Sequence, residues 1–197
     1  MGNSYKVTIF ISGGGGYAAY AKKSKQLSHI DFKIIADRQP VKHPECVDEY
    51  LIYENTKTYW EEFSEYVKEA DLTFINFNWI IPKYICRLHS GKLINQHPSL
   101  LPDFPGLNIQ DRVLKSGITQ SGTTFHFVDE NVDSGPIIWQ TFFDISRDDT
   151  IASLSYKNWI HSRDHYVNII NWFSKGRISL QNRNVFIDGH PPNFSTN

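Results

Sequence analysis

Two rhythms of apolar residues alternate along this chain, one with a period of two and one with a period of about 3.6. Tyr5–Ser12 (YKVTIFIS) is a β-branched and aromatic run that stops at the four glycines Gly13–Gly16. Tyr17-Ala18-Ala19-Tyr20-Ala21 opens a helix expected to reach about Leu27, and Phe32–Ala36 is a second short strand bounded by Asp37. Strand, glycine turn, helix and strand make a βαβ opening, which requires a parallel sheet with crossover helices. A loop from Pro40 to Pro44 leads to a short strand expected at Leu51–Tyr53. Tyr59–Ala70 then places Tyr59, Phe63, Tyr66, Val67 and Ala70 on one helical face.

Leu72–Phe77 (LTFINF) predicts a third strand, and Pro82 starts a short helix to about Leu88. Lys92–Gln96 predicts another strand, followed by a stiff loop, Pro98–Gly106, with three prolines. Ile109–Ser116 reads as a helix, Thr123–Val128 and Pro136–Ile145 as strands joined by Asp129–Gly135. A long helix runs from Asp148-Asp149-Thr150 to about Ser174, with Gly176 as its stop, and short strands at Ile178–Gln181 and Val185–Ile187 follow. The pattern predicts an α/β fold, a Rossmann-like and mostly parallel central sheet with helices on both faces, in one domain over 1–197.

Composition changes this picture mainly by exclusion. With 197 residues, 40% hydrophobic and 14% aromatic, the chain can bury a sizeable core. Lys+Arg number 20 and Asp+Glu 21, so no basic footprint for nucleic acid exists. The longest apolar runs, Val7–Ser12 and Leu72–Phe77, are far below the ~18–20 residues of a membrane span. Cys46 and Cys86 make neither a disulfide framework nor a zinc pattern. In Met1–Lys6, Lys6 stands where a myristoylation signal needs Ser or Thr, and no charged-then-apolar leader follows. Asn193-Phe194-Ser195 is a glycosylation sequon without a secretory context. A cytoplasmic protein, monomer or homodimer, is expected.

Gly13–Ala18 fits G-x-G-x-x-A between a strand and a helix, and Asp37 ends the next strand about twenty residues on. An NAD-dependent oxidoreductase is therefore one reading. Bare amides at a helix start also suit any phosphate, and a purely structural turn suits the same glycines.

A stronger constellation follows. Asn95 and His97 stand at i and i+2 of a strand and share a face, at the carboxyl end where open α/β sheets hold ligands; Gln96 faces away. An amide beside an imidazole can hold a developing oxyanion, and the imidazole can also move a proton. Asp133, in the tight Asp133-Ser134-Gly135-Pro136 loop, can approach His97 and orient it. Taken one at a time, these residues also read as a capped strand end and a turn aspartate. His126 reads as a packed strand residue, and Trp159 and Trp172 as core. His161 and His165 are spaced i, i+4 but lack further ligands, so no metal is expected.

The run Asn95-Gln96-His97-Pro98-Ser99-Leu100-Leu101-Pro102-Asp103-Phe104-Pro105-Gly106 resembles the Asn-x-His-Pro-Ser-Leu-Leu-Pro-x-x-x-Gly signature of folate-dependent formyltransferases. Gly122–Val128 and Asp133–Ile138 are similar to the next blocks of that family, in order and spacing. The resemblance is nearest to the branch that formylates phosphoribosylglycinamide (GAR) in purine synthesis. It implies formyl transfer from 10-formyltetrahydrofolate to a primary amine, with Asn95, His97 and Asp133 as the catalytic trio. It also implies a folate pocket walled by Phe77, Ile80, Leu93 and Ile138, covered by the loop that starts at Asp129. On the amine side it implies Gly13, Gly14, Gly15 and Gly16 for a phosphate, with Asn78 and Asp164 near the acceptor.

Several positions depart from the family. Gly16-Tyr17-Ala18-Ala19 replaces Gly-Ser-Asn-Leu, Asn78 and Trp79 replace Met and Arg, and Asp164 stands where a Glu contacts ribose. These changes lie on the acceptor or outer-pocket side, so another amine, such as an amino-sugar nucleotide, is the alternative acceptor. A non-catalytic folate- or phosphate-binding module is the alternative from a different class.

Overall fold

The computed structural model describes residues 4–194, so the Met1–Asn3 stretch and Ser195 of the sequon lie outside the described residues. β1 (Tyr5–Ile11), β2 (Ile30–Ala36), β3 (Glu49–Tyr50), β4 (Leu72–Asn76) and β5 (Leu93–His97) pair in parallel. β6 (Gln120–Phe127) and β7 (Ile137–Asp144) continue the sheet antiparallel, giving seven strands in the order β3-β2-β1-β4-β5-β6-β7. β8 (Ile178–Gln181) and β9 (Asn184–Ile187) form a separate hairpin. The helices are α1 (Gly16–Lys23), α2 (Lys57–Glu69), α3 (Lys83–Leu88), α4 (Ile109–Ser116) and α5 (Ile151–Ser174).

Strand order reverses between β1 and β4, and the crevice outside their carboxyl ends is where a doubly wound sheet takes ligands. β1 is apolar at almost every position because both of its faces are covered. Val7, Ile9 and Ile11 pack with Ala18 and Ala21 of α1 and Tyr166, Val167 and Ile170 of α5. Phe10, on the other face, packs with Tyr59, Phe63 and Val67 of α2 and Ile85 of α3. These two layers flank the sheet as the sequence pattern requires.

Several boundaries differ from the sequence reading by a few residues, β6 starting at Gln120 rather than Thr123 among them, and three show a local cause. α1 ends at Lys23 because Ser24 turns extended (ψ 124°), and a short 3-10 turn at Lys25–Leu27 replaces its last turn. The strand expected at Leu51–Tyr53 is Glu49–Tyr50 instead. Leu51 and Tyr53 still donate to Ala36 and Asp37 carbonyls, as an edge segment bending away. α5 begins at Ile151 with Thr150 as N-cap in a reciprocal box with Ser153, while Asp149 accepts the Lys157 ammonium at 2.6 Å.

Three histidines are buried or half-buried: His89 at the end of α3 and His126 on β6 are buried, and His165 on α5 is half-buried. Burial pushes each imidazole below its ordinary value of 6.5. The folded chain keeps them neutral, whereas the unfolded chain takes up protons near 6.5, so their share of stability is full above that pH and is lost as pH falls below it. A urea midpoint lower at pH 5.5 than at pH 8 is expected. Equal midpoints would mean these rings protonate without opposing the fold.

Candidate active site

β5 ends in Asn95-Gln96-His97, and the chain then turns through Pro98–Gly106 under β6. The imidazole of His97 is buried, 3% exposed, and held from two sides. Its Nε2 donates to the carbonyl of Phe104 at 2.9 Å. A carbonyl only accepts, so Nε2 carries a hydrogen and Nδ1 is the nitrogen free for proton exchange. Nδ1 stands 3.4 Å from Asp133 Oδ2. Asp133 has a left-handed backbone (φ 52°) and its Oδ2 accepts the Gly106 N–H at 2.7 Å. The Asn95 amide nitrogen lies 3.5 Å from Asp133 Oδ1 and 3.4 Å from His126 Nε2. The three residues singled out by the sequence therefore converge.

The sequence reading missed three partners. Phe104 and Gly106 act through backbone atoms, which no residue type announces. His126 is indeed a buried strand residue, but it pairs with Asn95 across β5–β6 and also lies 3.7 Å from Asp133 Oδ1. That register had no signal in the sequence.

A cleft of about 550 Å³ opens on this group, a size suited to a small-molecule ligand. Its apolar side is Phe77, Trp79, Ile80, Ile81, Val128 and Val132, and its floor carries Asn95, His97 and Asp133. Asn78 lines it too. Two expected wall residues do not. Leu93 and Ile138 are fully buried in the two core layers, because their strands turn those side chains into the sheet packing rather than toward the crevice. Asp129 lines the cleft but its carboxylate is already engaged. Oδ1 accepts from the Asn131 N–H and the Ser134 hydroxyl, and Oδ2 from Arg183.

The acceptor side is rearranged. Asp164 is exposed, accepts the Tyr20 hydroxyl at 2.6 Å and does not line the cleft. Ser162, two residues earlier on α5, occupies the inward position, since residues two apart on a helix face different sides. Its hydroxyl meets Tyr17 Oη at 2.7 Å and takes a hydrogen bond from Gln96 at 3.3 Å. The Tyr17 ring stacks on Tyr166 (5.3 Å between centroids) and meets Trp159 edge-on. Gln96 lines the cleft, so a filled polar path, Gln96–Ser162–Tyr17, separates the cleft from the glycine loop.

That loop lies outside the cleft lining. Gly15 has φ 85°, and a Cβ there would come within 3.0 Å of Ile11, so both conformation and space require glycine. The first turn of α1 has no side-chain cap, which leaves its N–H groups suited to an anion. Asp37, which a dinucleotide reading assigns to a ribose, is 2% exposed. It accepts from Ser12, from the Trp79 indole and from Arg38, so its oxygens are committed within the protein.

The sequence of residues 6–170 matches the Formyl transferase family model. Phosphoribosylglycinamide formyltransferase of Haemophilus influenzae is 37% identical over 110 residues, 56% of this chain and 51% of that protein. The Bacillus subtilis enzyme of the same name is 31% identical over 156 residues, 77% of each chain. The match thus spans about half the length of the Haemophilus relative. Among solved structures, phosphoribosylglycinamide formyltransferase from Anaplasma phagocytophilum superposes with a TM-score of 0.87 at 26% identity, covering 99% of this chain and 100% of that one. A match over most of the sequence, with the fold to accompany it, means that this chain belongs to the formyl transferase family.

Proposed function

We propose that this chain, acting as one domain in the cytoplasm, transfers a formyl group from 10-formyltetrahydrofolate to the primary amine of GAR. The observation that carries the reading is the convergence of Asn95, His97 and Asp133 at the floor of an apolar-walled cleft. The relatives' names support the acceptor. The cleft fits a folate: an aromatic and aliphatic wall for a flat ring system, with few polar groups at one end.

In this reading the Asn95 amide, together with the His97 imidazole once its Nδ1 is protonated, stabilises the negative charge that forms on the formyl oxygen when the amine nitrogen bonds to the formyl carbon. His97 takes part in moving the amine's proton through Nδ1, since Nε2 stays on Phe104. That proton reaches the folate nitrogen as its bond to the formyl carbon breaks. Asp133 holds His97 in the working orientation, and the first turn of α1 receives the acceptor's phosphate.

A second acceptor, another phosphorylated or nucleotide-linked amine, is favoured by one observation: Tyr17 and Ser162 fill the path between the glycine loop and the cleft. A formyl-transfer assay following deformylated folate by absorbance separates the two. Saturable turnover with GAR is expected, with the Michaelis constant for the acceptor changed several-fold in Tyr17→Phe and that for folate unchanged. No turnover with GAR, but turnover with an amino-sugar nucleotide, would move the assignment to the second acceptor.

A further inference from the structure

The β8–β9 hairpin lies beyond the residues that the family model matches, yet it reaches the catalytic loop. Its two turn residues, Asn182 and Arg183, both adopt left-handed backbone (φ 48° and 66°), as a tight two-residue hairpin turn requires. Glycine takes the second of these positions without steric cost, and an arginine does not. The side chain placed there is put to use. Arg183 Nη2 donates to Asp129 Oδ2 at 2.8 Å and to the Ser134 carbonyl at 3.2 Å. One guanidinium thus grips both ends of the segment that carries Asp133.

The segment's own bonds extend this grip inward. Asp129 Oδ1 accepts from the Asn131 N–H at 3.1 Å and the Ser134 hydroxyl at 2.9 Å, closing the loop on itself. Burial alone would raise the Asp129 carboxyl; Arg183, with the Asn131 and Ser134 donors, more than offsets this and holds it below the usual carboxylate range. Residues 129–133 line the cleft, and Asp133 meets His97 and Asn95 on that side. The Arg183 side chain is 66% exposed and that of Asp129 16%, so the pair has little stability to offer as an ion pair. Its geometric effect is larger, because both contacts fall on the short loop that presents a catalytic carboxylate.

We propose that Arg183 is a positioning residue: the hairpin turn tethers loop 129–135 through Asp129 and Ser134 and so sets where Asp133 stands toward His97. This rests on the formyl-transfer reading, and it assigns a role in that reaction to the hairpin.

The test uses the full chain with Arg183→Gly, Arg183→Lys, Asp129→Asn and the Arg183→Gly/Asp129→Asn double variant. Arg183→Gly removes the side chain and also relieves the left-handed backbone, so the urea midpoint should stay level or rise while kcat falls by about tenfold. A residue that merely stabilised the fold would move both the same way. Arg183→Lys should restore part of the rate, since its ammonium keeps the charge and the donors but on a shorter, more mobile stem. The double variant should be no slower than the worse single variant, because both break one contact. Backbone amides of 129–135 should exchange with deuterium faster in Arg183→Gly, and equilibrium dialysis should show weaker binding of tetrahydrofolate. Turnover within twofold of wild type, additive losses in the double variant, or unchanged exchange in the loop would each overturn the proposal. If wild type formylates no amine, the activity reading fails by itself. The exchange and dialysis arms then decide the tether: faster exchange with weaker folate binding supports it, and no change overturns it.

Discussion

Replacing His97 by alanine is expected to lower kcat by about 10²- to 10⁴-fold, the span that loss of a proton-transfer group and an oxyanion donor covers. The ring's two nitrogens serve different ends: Nε2 is fixed on the Phe104 carbonyl, and Nδ1 works beside Asp133 and Asn95. Alanine removes both. It also leaves the Phe104 carbonyl without its donor, at a cost of about 1–3 kcal/mol in stability. For that reason Asp133→Asn is the companion variant. It keeps an oxygen for the Gly106 N–H but removes the charge facing His97, and a rate loss of about 10²-fold is expected without appreciable unfolding. Steady-state kinetics with saturating folate, checked by circular dichroism, reads both. Rates within threefold of wild type in the two variants would remove His97 and Asp133 from the proposed mechanism.

Gly135→Ala should destabilise the fold by about 3 kcal/mol and lower Tm by about 6–12 °C. A Cβ at this position would lie 1.7 Å from the Phe127 carbonyl oxygen and 2.7 Å from its carbon. Those are backbone atoms of β6, in the stretch where the Phe127 N–H donates to the Pro136 carbonyl, so nothing flexible can yield. The loop itself must shift, and Asp133 lies two residues away. Activity should therefore fall further than stability alone explains. Gly122→Ala separates the two effects. Its Cβ would meet the Thr141 carbonyl oxygen at 1.8 Å and Leu100 at 2.6 Å, a similar backbone collision at a position on β6 farther from Asp133 in sequence. Comparable Tm losses are expected, with the rate per folded molecule lowered only in Gly135→Ala. Unchanged urea midpoints in both variants would mean that β6 and its neighbours are less closely packed than the structure indicates.

The sheet was legible because its strands are short, apolar and punctuated by glycine and proline. The Asn95/His97 pair was legible because two-residue periodicity puts alternate strand residues on one face. What escaped had a physical reason in each case. Leu93 and Ile138 sit on strands apolar on both faces, and such strands do not declare which side faces a crevice. Asp164 came from the resemblance, and the pattern of α5 did not correct it, because the buried polar residues Asn158, Ser162 and Asn171 on its inner side blur the apolar stripe that would have fixed its rotation. The hydrogen bond from His97 to Phe104 ends on a backbone carbonyl, and the Asp129–Arg183 pair joins residues 54 apart. Contacts of that kind belong to the folded chain and leave no local trace.

The wall of the cleft also gives the protein an optical reporter. Of its five tryptophans, Trp79 is the one that lines the cleft. Its indole lies flat on Tyr53, with 3.8 Å between ring centroids and 9° between planes, while its N–H bonds the Asp37 carboxylate. Emission from such an indole responds to the water and the ring contacts beside it, and a flat ring seated in the cleft changes both. Filling the cleft should therefore change the emission of Trp79 and leave the signal of Trp60, Trp139, Trp159 and Trp172 largely intact. The residue that replaces a charge with a ring on the cleft wall thus makes occupancy of the site readable by fluorescence without an added label.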